Sequence, residues 1–167
     1  MGVLYRVKLE VGNGINEYLS RLENLKNASE ETCGKAIYAG ADIVSDAIKR
    51  NLDGIPTDEG YGSPENKLQG LKKIQKIGLQ KAFGIAKLRN DSGYLNVKAG
   101  FDGYNLLKTK KYPQGQPNPM IARTIESGNS FTRKHPFVAP AIRETKEQAE
   151  RKMAEIVDQE ADKIMNH

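Results

Sequence analysis

Few side chains in this sequence are of a type that does covalent or metal chemistry, and their spacing limits what they can do. There are two histidines, His135 beside Pro136 and His167 at the last position, and a single cysteine, Cys33. A zinc site needs three or four His, Cys or carboxylate ligands converging on one ion. Nothing near either histidine is spaced as such a set, and His135 is read as hydrogen-bonding within a turn. Cys33 falls on the apolar stripe of an expected helix, where a free thiol acts as a small core residue. A Cys33–His135 nucleophile pair has no feature to position it. Asp42 and Asp46 share a charged helix face, where two acids are solvated. No serine elbow, zinc-helix motif, phosphate loop or dinucleotide fingerprint occurs. No catalytic, metal-binding or cofactor-binding residue is therefore assigned, and the chain is read as not an enzyme.

The residues that do read as a set run from Pro119 to Ile142, PMIARTIESGNSFTRKHPFVAPAI. Pro119 suits the first position of a helix because it has no amide donor to lose there. Ile121, Ala122 and Ile125 then give that helix one apolar face, and Gly128 is expected as its left-handed cap. A polar, basic turn follows from Asn129 to Lys134. Pro136 and Pro140 forbid a continuous helix and make a stiff bend that presents Phe137 as a buried anchor. Pro140 can open the next helix.

The pattern Glu126-x-Gly128, a basic loop, then Pro136-Phe137-x-x-Pro140-Ala141 before a long charged helix resembles the head–tail joining, or tail-completion, proteins of long-tailed bacteriophages. The sharp match covers about 25 residues, and the preceding order of elements agrees more loosely. Where that family has an Asp-Thr-Gly-type turn after its first long helix, this sequence has Gly54 to Asn66 and no such triplet. The resemblance implies a structural protein of the virion neck, assembled in the host cytoplasm. It implies a ring of six copies between the head connector or stopper and the tail tube, around a channel through which DNA passes.

The whole chain bounds that expectation. Its 167 residues fit a single domain, 1–167. A hydrophobic content of 38% and a mean hydropathy of −0.63 are on the polar side. No apolar run approaches the roughly 20 residues of a membrane helix, and no basic segment followed by an apolar core marks a signal peptide. One cysteine cannot form an internal disulfide. The net charge of +5 is unevenly spread: residues 65–138 hold 14 Lys/Arg against 4 Asp/Glu, while both flanks are mildly acidic. Lys72, Lys73, Lys76, Lys108, Lys110, Lys111, Arg133 and Lys134 are the cations expected to face DNA or a partner. Non-specific phosphate contact needs no reading motif. The alternative is a small basic nucleic-acid-binding module, although no helix-turn-helix, zinc or RNA-binding signature is present.

The elements that must position these residues follow from periodicity. Val3, Tyr5, Val7, Leu9 and Val11 alternate as a half-buried strand, and Ile15 to Leu25 repeat as a short amphipathic helix. Asn27 and Glu30 can form a capping pair for a long helix near 28–52, with Cys33, Ile37, Ala41, Val44, Ile48 and Leu52 on one stripe. Ala39-Gly40-Ala41 makes that helix shallow enough for close packing. Leu68, Leu71, Ile74 and Ala82 suggest a further helix. Residues 83–89 and 95–101 form a hairpin around Asn90-Asp91-Ser92-Gly93. A last helix near 140–165 carries Ile142, Ala149, Met153, Ile156 and Ile164 on a narrow stripe, with Glu147 and Arg151 at supportive spacing. Long loops at 53–66 and 102–118 are expected to be ordered by partners. The class is α+β: a small antiparallel sheet, made of the N-terminal strand and the central hairpin, packed by helices, with a long C-terminal helix.

Overall fold

A computed structural model of the chain describes residues 7–8 and 30–165. It is an α+β fold, with two small antiparallel sheets and helices that include a long C-terminal one. In chain order the elements are β1 (Val7–Lys8), α1 (Glu30–Asp53), α2 (Lys73–Ala82), β2 (Phe83–Ile85), β3 (Arg89–Asp91), β4 (Tyr94–Asn96), β5 (Lys98–Phe101), α3 (Asn118–Ser127) and α4 (Val138–Met165). The rest of the expected first strand, the 15–26 helix, the Asn27 cap and His167 lie outside the described residues.

The hairpin forms where turn chemistry places it. Ser92 and Gly93 both take positive φ, 58° and 90°, as a two-residue type I′ loop requires. The Asn90 side chain accepts the Gly93 amide at 2.7 Å. Asp91 pairs with Tyr94 and Arg89 with Asn96, while further down Phe83 pairs with Phe101 and Ile85 with Ala99. The register shifts by one residue between these ladders, so residues 86–88 carry a bulge. β5 is the central strand of the larger sheet, between β1 and β2. Val97, Ala99 and Phe101 point into the core, as their alternation requires.

α1 and α4 run antiparallel. Lys35 near the start of α1 pairs with Glu160 near the end of α4 at 3.2 Å. At the other end the Asn51 side chain donates to the Phe137 carbonyl at 3.1 Å. A Cβ added at Gly40 would come within 2.6 Å of the Met153 sulfur, so the shallow surface there does admit α4 closely. The buried stripe of α4 is Ala141, Thr145, Ala149, Met153 and Val157, spaced by fours. Of the expected stripe, Ala149 and Met153 are in it, whereas Ile142 and Ile156 are half-buried. The Glu147–Arg151 spacing makes no ion pair among the described residues; Lys152–Glu155 and Lys163–Glu160 do.

The main core gathers Ile48 and Leu52 of α1, Leu79 of α2, Phe101 of β5, Ile121 and Ile125 of α3, and Phe137. Phe83, Phe101 and Phe137 pack in a row, the first pair tilted and the second edge to face, with ring centroids 5.0 and 5.8 Å apart. One expectation fails. The helix suggested by Leu68, Leu71 and Ile74 begins only at Lys73. Residues 68–71 are instead held by non-local backbone pairing: Leu68 with Phe131 and Arg133, and Leu71 with Pro56 and Asp58. A Cβ at Gly70 would lie 1.8 Å from the Pro56 carbonyl oxygen, so only glycine allows this approach.

Candidate functional site

The segment from Glu126 to Ala141 folds as one joint. A helix begins with four backbone amides that have no partner within it. At the start of α4 these belong to Phe137, Val138, Ala139 and residue 140. The buried Glu126 carboxylate, at the end of α3, accepts three of them: Phe137 at 2.8 Å and Val138 at 3.0 Å on Oε2, and Ala139 at 3.0 Å on Oε1. The fourth position is Pro140, which has no amide to satisfy. A negative charge at a helix N-terminus is also favoured by the helix dipole.

The other residues of the set serve the same joint. Gly128 ends α3 with φ 70° and ψ 170°. That is not the left-handed cap expected but a region essentially restricted to glycine. A Cβ there would come within 2.8 Å of the Lys134 side chain, which packs back over it. The returning chain is tied down by the His135 amide, which donates to the Ile125 carbonyl at 2.7 Å. Phe137 is fully buried, and Ala141 lies against α1 without exposure. Pro119 takes the second helical position rather than the first, since α3 begins at Asn118.

Residues 57–72, 102–116 and 129–134 converge on one face beside this joint. They surround a cleft of about 800 Å³ whose lining includes Tyr61, Leu68, Lys72, Gln75, Leu107, Lys108, Gln116 and Thr132. An adjoining open groove of about 860 Å³ runs along α2 and residues 102–106. Both loops are ordered by the chain itself. Residues 103–118 form an irregular hairpin through bonds such as Asn105 N–H to Gln116 O and Asn118 N–H to Gly103 O. The buried Asn105 amide donates to the Gln75 carbonyl and to Asn118 Oδ1. Gln75 in turn donates to Gln116 and accepts the Lys72 amide at the start of α2. In the first loop, Asp58 accepts the amides of Gly60 and Gln69, which hold its carboxyl below the usual aspartate range.

The eight cations singled out by sequence divide into two groups. Lys72 donates to the carbonyls of Glu59 and Gly60, and Lys76 to those of Asp53 and Ile55. These two amines fasten the first loop and the end of α1. Lys73, Lys108, Lys110, Lys111, Arg133 and Lys134 are exposed. Among the described residues their cationic groups have no hydrogen bond or ion pair; Lys111 lies 5.5 Å from the Tyr112 ring.

The reactive residues stay apart. Cys33 is buried, which pushes its thiol up. His135 lies against the end of α3, near Phe137, which touches the far end of α1 from Cys33. The 18 residues of helix from Cys33 to Asn51 span about 27 Å at 1.5 Å per residue. Among the described residues no cluster of three or more His, Cys, Asp or Glu could hold a metal ion, and no helix is long and apolar enough to cross a membrane. Comparison with models of known protein families, with curated proteins and with solved structures found no match.

Sequence reasoning missed the amide network and the groove. Asn105, Asn118 and Gln116 sit among Gly and Pro, where they read as turn residues. Ile74 reads as core, yet it is exposed, as is Ile77.

Proposed function

We propose that this chain is a structural virion protein, forming a ring of six copies at the head–tail junction of a long-tailed bacteriophage and surrounding the DNA channel. The observation that carries the reading is the Glu126 joint. The residues on which the resemblance rests, Glu126, Gly128, Pro136, Phe137, Pro140 and Ala141, belong to one structural device rather than a chance string. Glu126 caps α4, Pro140 removes the amide that Glu126 does not reach, and Gly128 lets the basic turn fold back. The convergence of both long loops and that turn on one face supports a contact surface for the head connector or stopper and the tail tube.

In this reading DNA meets the uncommitted cations without sequence readout. Binding to duplex is expected to be weak and to fall steeply with added salt. A small nucleic-acid-binding module is the second reading, favoured by the exposed Tyr61, Tyr104 and Phe131 on the face that carries those cations. Tight binding to one sequence at physiological salt would favour it.

The test of the first reading is to locate a labelled copy of the chain in phage particles and count it. The expected result is six copies at the neck, with heads and tails separate when the chain is withheld. Particles that join normally without it overturn the proposal.

A further inference from the structure

Two peptide units in the chain have the sequence Asp-Gly, at 53–54 and 102–103. Such a unit is open to self-modification, because glycine puts no side chain in the way when its amide nitrogen attacks the preceding carboxyl. The fold treats the two units differently. Asp53 is the last residue of α1, and each polar group around its peptide bond is held. The Gly54 amide donates to the Arg50 and Asn51 carbonyls at 3.1 and 3.2 Å. The Asp53 carbonyl accepts the Lys76 amine at 2.7 Å, and its carboxylate accepts the Gln80 side-chain amide at 2.7 Å.

At the exposed Asp102 the carboxylate is turned instead onto its own reaction partner: the Gly103 amide donates to Oδ1 at 2.7 Å. Cγ, one carbon–oxygen bond from Oδ1, therefore lies within about 4 Å of that nitrogen. Gly103 has φ 67°, and a Cβ built there meets nothing within 4 Å, so the unit has room to turn. The tie that must give is the Asn118 side-chain amide on the Asp102 carbonyl, at 2.9 Å.

The geometry points to Asp102–Gly103 as a self-modification site that converts to isoaspartate in the folded chain, while Asp53–Gly54 is protected. The Gly103 nitrogen bonds to Cγ of the protonated carboxyl. The carboxyl hydroxyl and the amide proton leave as water, giving a succinimide, and water then reopens the ring. Opening at Cγ restores aspartate. Opening at the main-chain carbonyl leaves isoaspartate, with the chain routed through Cβ and Cγ. The same unit closes the base of residues 103–118, because the Gly103 carbonyl also accepts the Asn118 amide at 3.0 Å. Conversion makes the Asp102 main-chain carbonyl a free carboxylate and displaces Gly103 by one bond. The two Asn118 bonds then lose their spacing, and the loop that carries Lys108, Lys110 and Lys111 loosens at its base.

The experiment ages the full chain in heavy-oxygen water at mildly acidic pH, folded and, in parallel, unfolded in urea. Each passage through the succinimide introduces one heavy oxygen, and trypsin separates the two sites into peptides 51–67 and 99–108. Mass spectrometry locates the label, and an isoaspartyl methyltransferase reads isoaspartate itself. In the folded chain Asp102 is expected to label faster than Asp53 by about tenfold or more, and in urea the two rates should be comparable. Asp102→Glu, whose larger ring closes far more slowly, should abolish the labelling of 99–108, with unchanged melting showing that the variant folds. Equal or faster labelling of Asp53 in the folded chain, or no isoaspartate at 102, overturns the proposal. So does the same preference in urea, which would assign it to sequence alone. The Asn118 amide should exchange faster in the isolated isoaspartate form; unchanged exchange overturns the claim that this unit closes the loop.

Discussion

The most direct test of the joint is Glu126→Gln. The substitution preserves size and removes the charge and half of the acceptor capacity. The remaining carbonyl oxygen can serve Phe137 and Val138, but the new amide group faces the Ala139 N–H as donor against donor. Hydrogen bonds to charged groups contribute about 1.5–3 kcal/mol each, and an unsatisfied buried amide costs about 1–3 kcal/mol. Ala139 is exposed, so water recovers part of its loss, whereas Phe137 and Val138 are buried. A net loss of about 2–3 kcal/mol is expected for Gln, and about 3–5 kcal/mol for Ala, which leaves all three amides without the carboxylate. For a chain of this size each kcal/mol lowers Tm by about 2–4 °C, so the Gln variant should melt roughly 4–12 °C lower. Urea unfolding followed by circular dichroism gives the free energy, with an unchanged slope showing that the native state is intact. A loss below about 0.5 kcal/mol for Gln would refute the argument that one carboxylate holds the start of α4.

Phe137→Ala removes a fully buried ring in contact with Phe101; a loss of about 3–5 kcal/mol is expected by chemical unfolding, and unchanged melting would contradict it. Gly78→Ala improves helix propensity by about 1 kcal/mol, but its Cβ would come within 2.0 Å of the buried Asn105 amide. The variant should be less stable than the parent, and a gain in Tm would show that the Asn105–Gln75–Asn118 network can move. The Asp58 carboxyl titrates below the ordinary aspartate value because folding gives it the Gln69 and Gly60 amides. Its contribution is present above that ordinary value and is lost as pH falls through the depressed folded one. Carboxyl NMR should follow that titration, with a lower protection factor for the Gln69 amide, relative to its intrinsic exchange rate, at the acid end.

Local chemistry made much of the fold legible. The Asn90–Gly93 turn fixes its hairpin through two positive φ angles, and the α1 stripe from Cys33 to Leu52 buries as its spacing requires. What sequence could not show was non-local. Leu68 and Leu71 have helical spacing, but their backbones pair with loop residues 56–58 and 131–133, so propensity loses to tertiary pairing. On α4 the expected Ala149 and Met153 are buried, but Ala141, Thr145 and Val157 complete the stripe in place of Ile142 and Ile156. Thr145 resolves its own polarity by donating to the Ala141 carbonyl at 2.6 Å. Lys72 and Lys76 resembled free charges because a lysine that serves loop carbonyls looks like any other in sequence. Glu126 stood out only through its pattern with Gly128 and the two prolines, since its partners lie 11 to 13 residues further along.

The ordering of the two loops changes how the exposed face would bind. A segment that folds only on contact gives up binding free energy to backbone and side-chain ordering, about 1–2 kcal/mol per residue for the backbone alone. Here Lys72, Lys76 and Asp58 hold the first loop, and the Asn105 network holds the second, without any partner. A partner reaching this face meets surfaces already formed and loses less to ordering. The polar groups that perform this work keep their charge while they do so: Asp58, Glu59 and Asp102 accept backbone amides, and Lys72 and Lys76 donate to carbonyls. Exposed here are Lys73, Lys81, Lys108, Lys110, Arg133 and Lys134, together with Glu59 and Asp102, beside Ile74, Ile77, Tyr104, Leu106 and Phe131. With more exposed cations than carboxylates, this face carries a positive field in a chain whose net charge is +5.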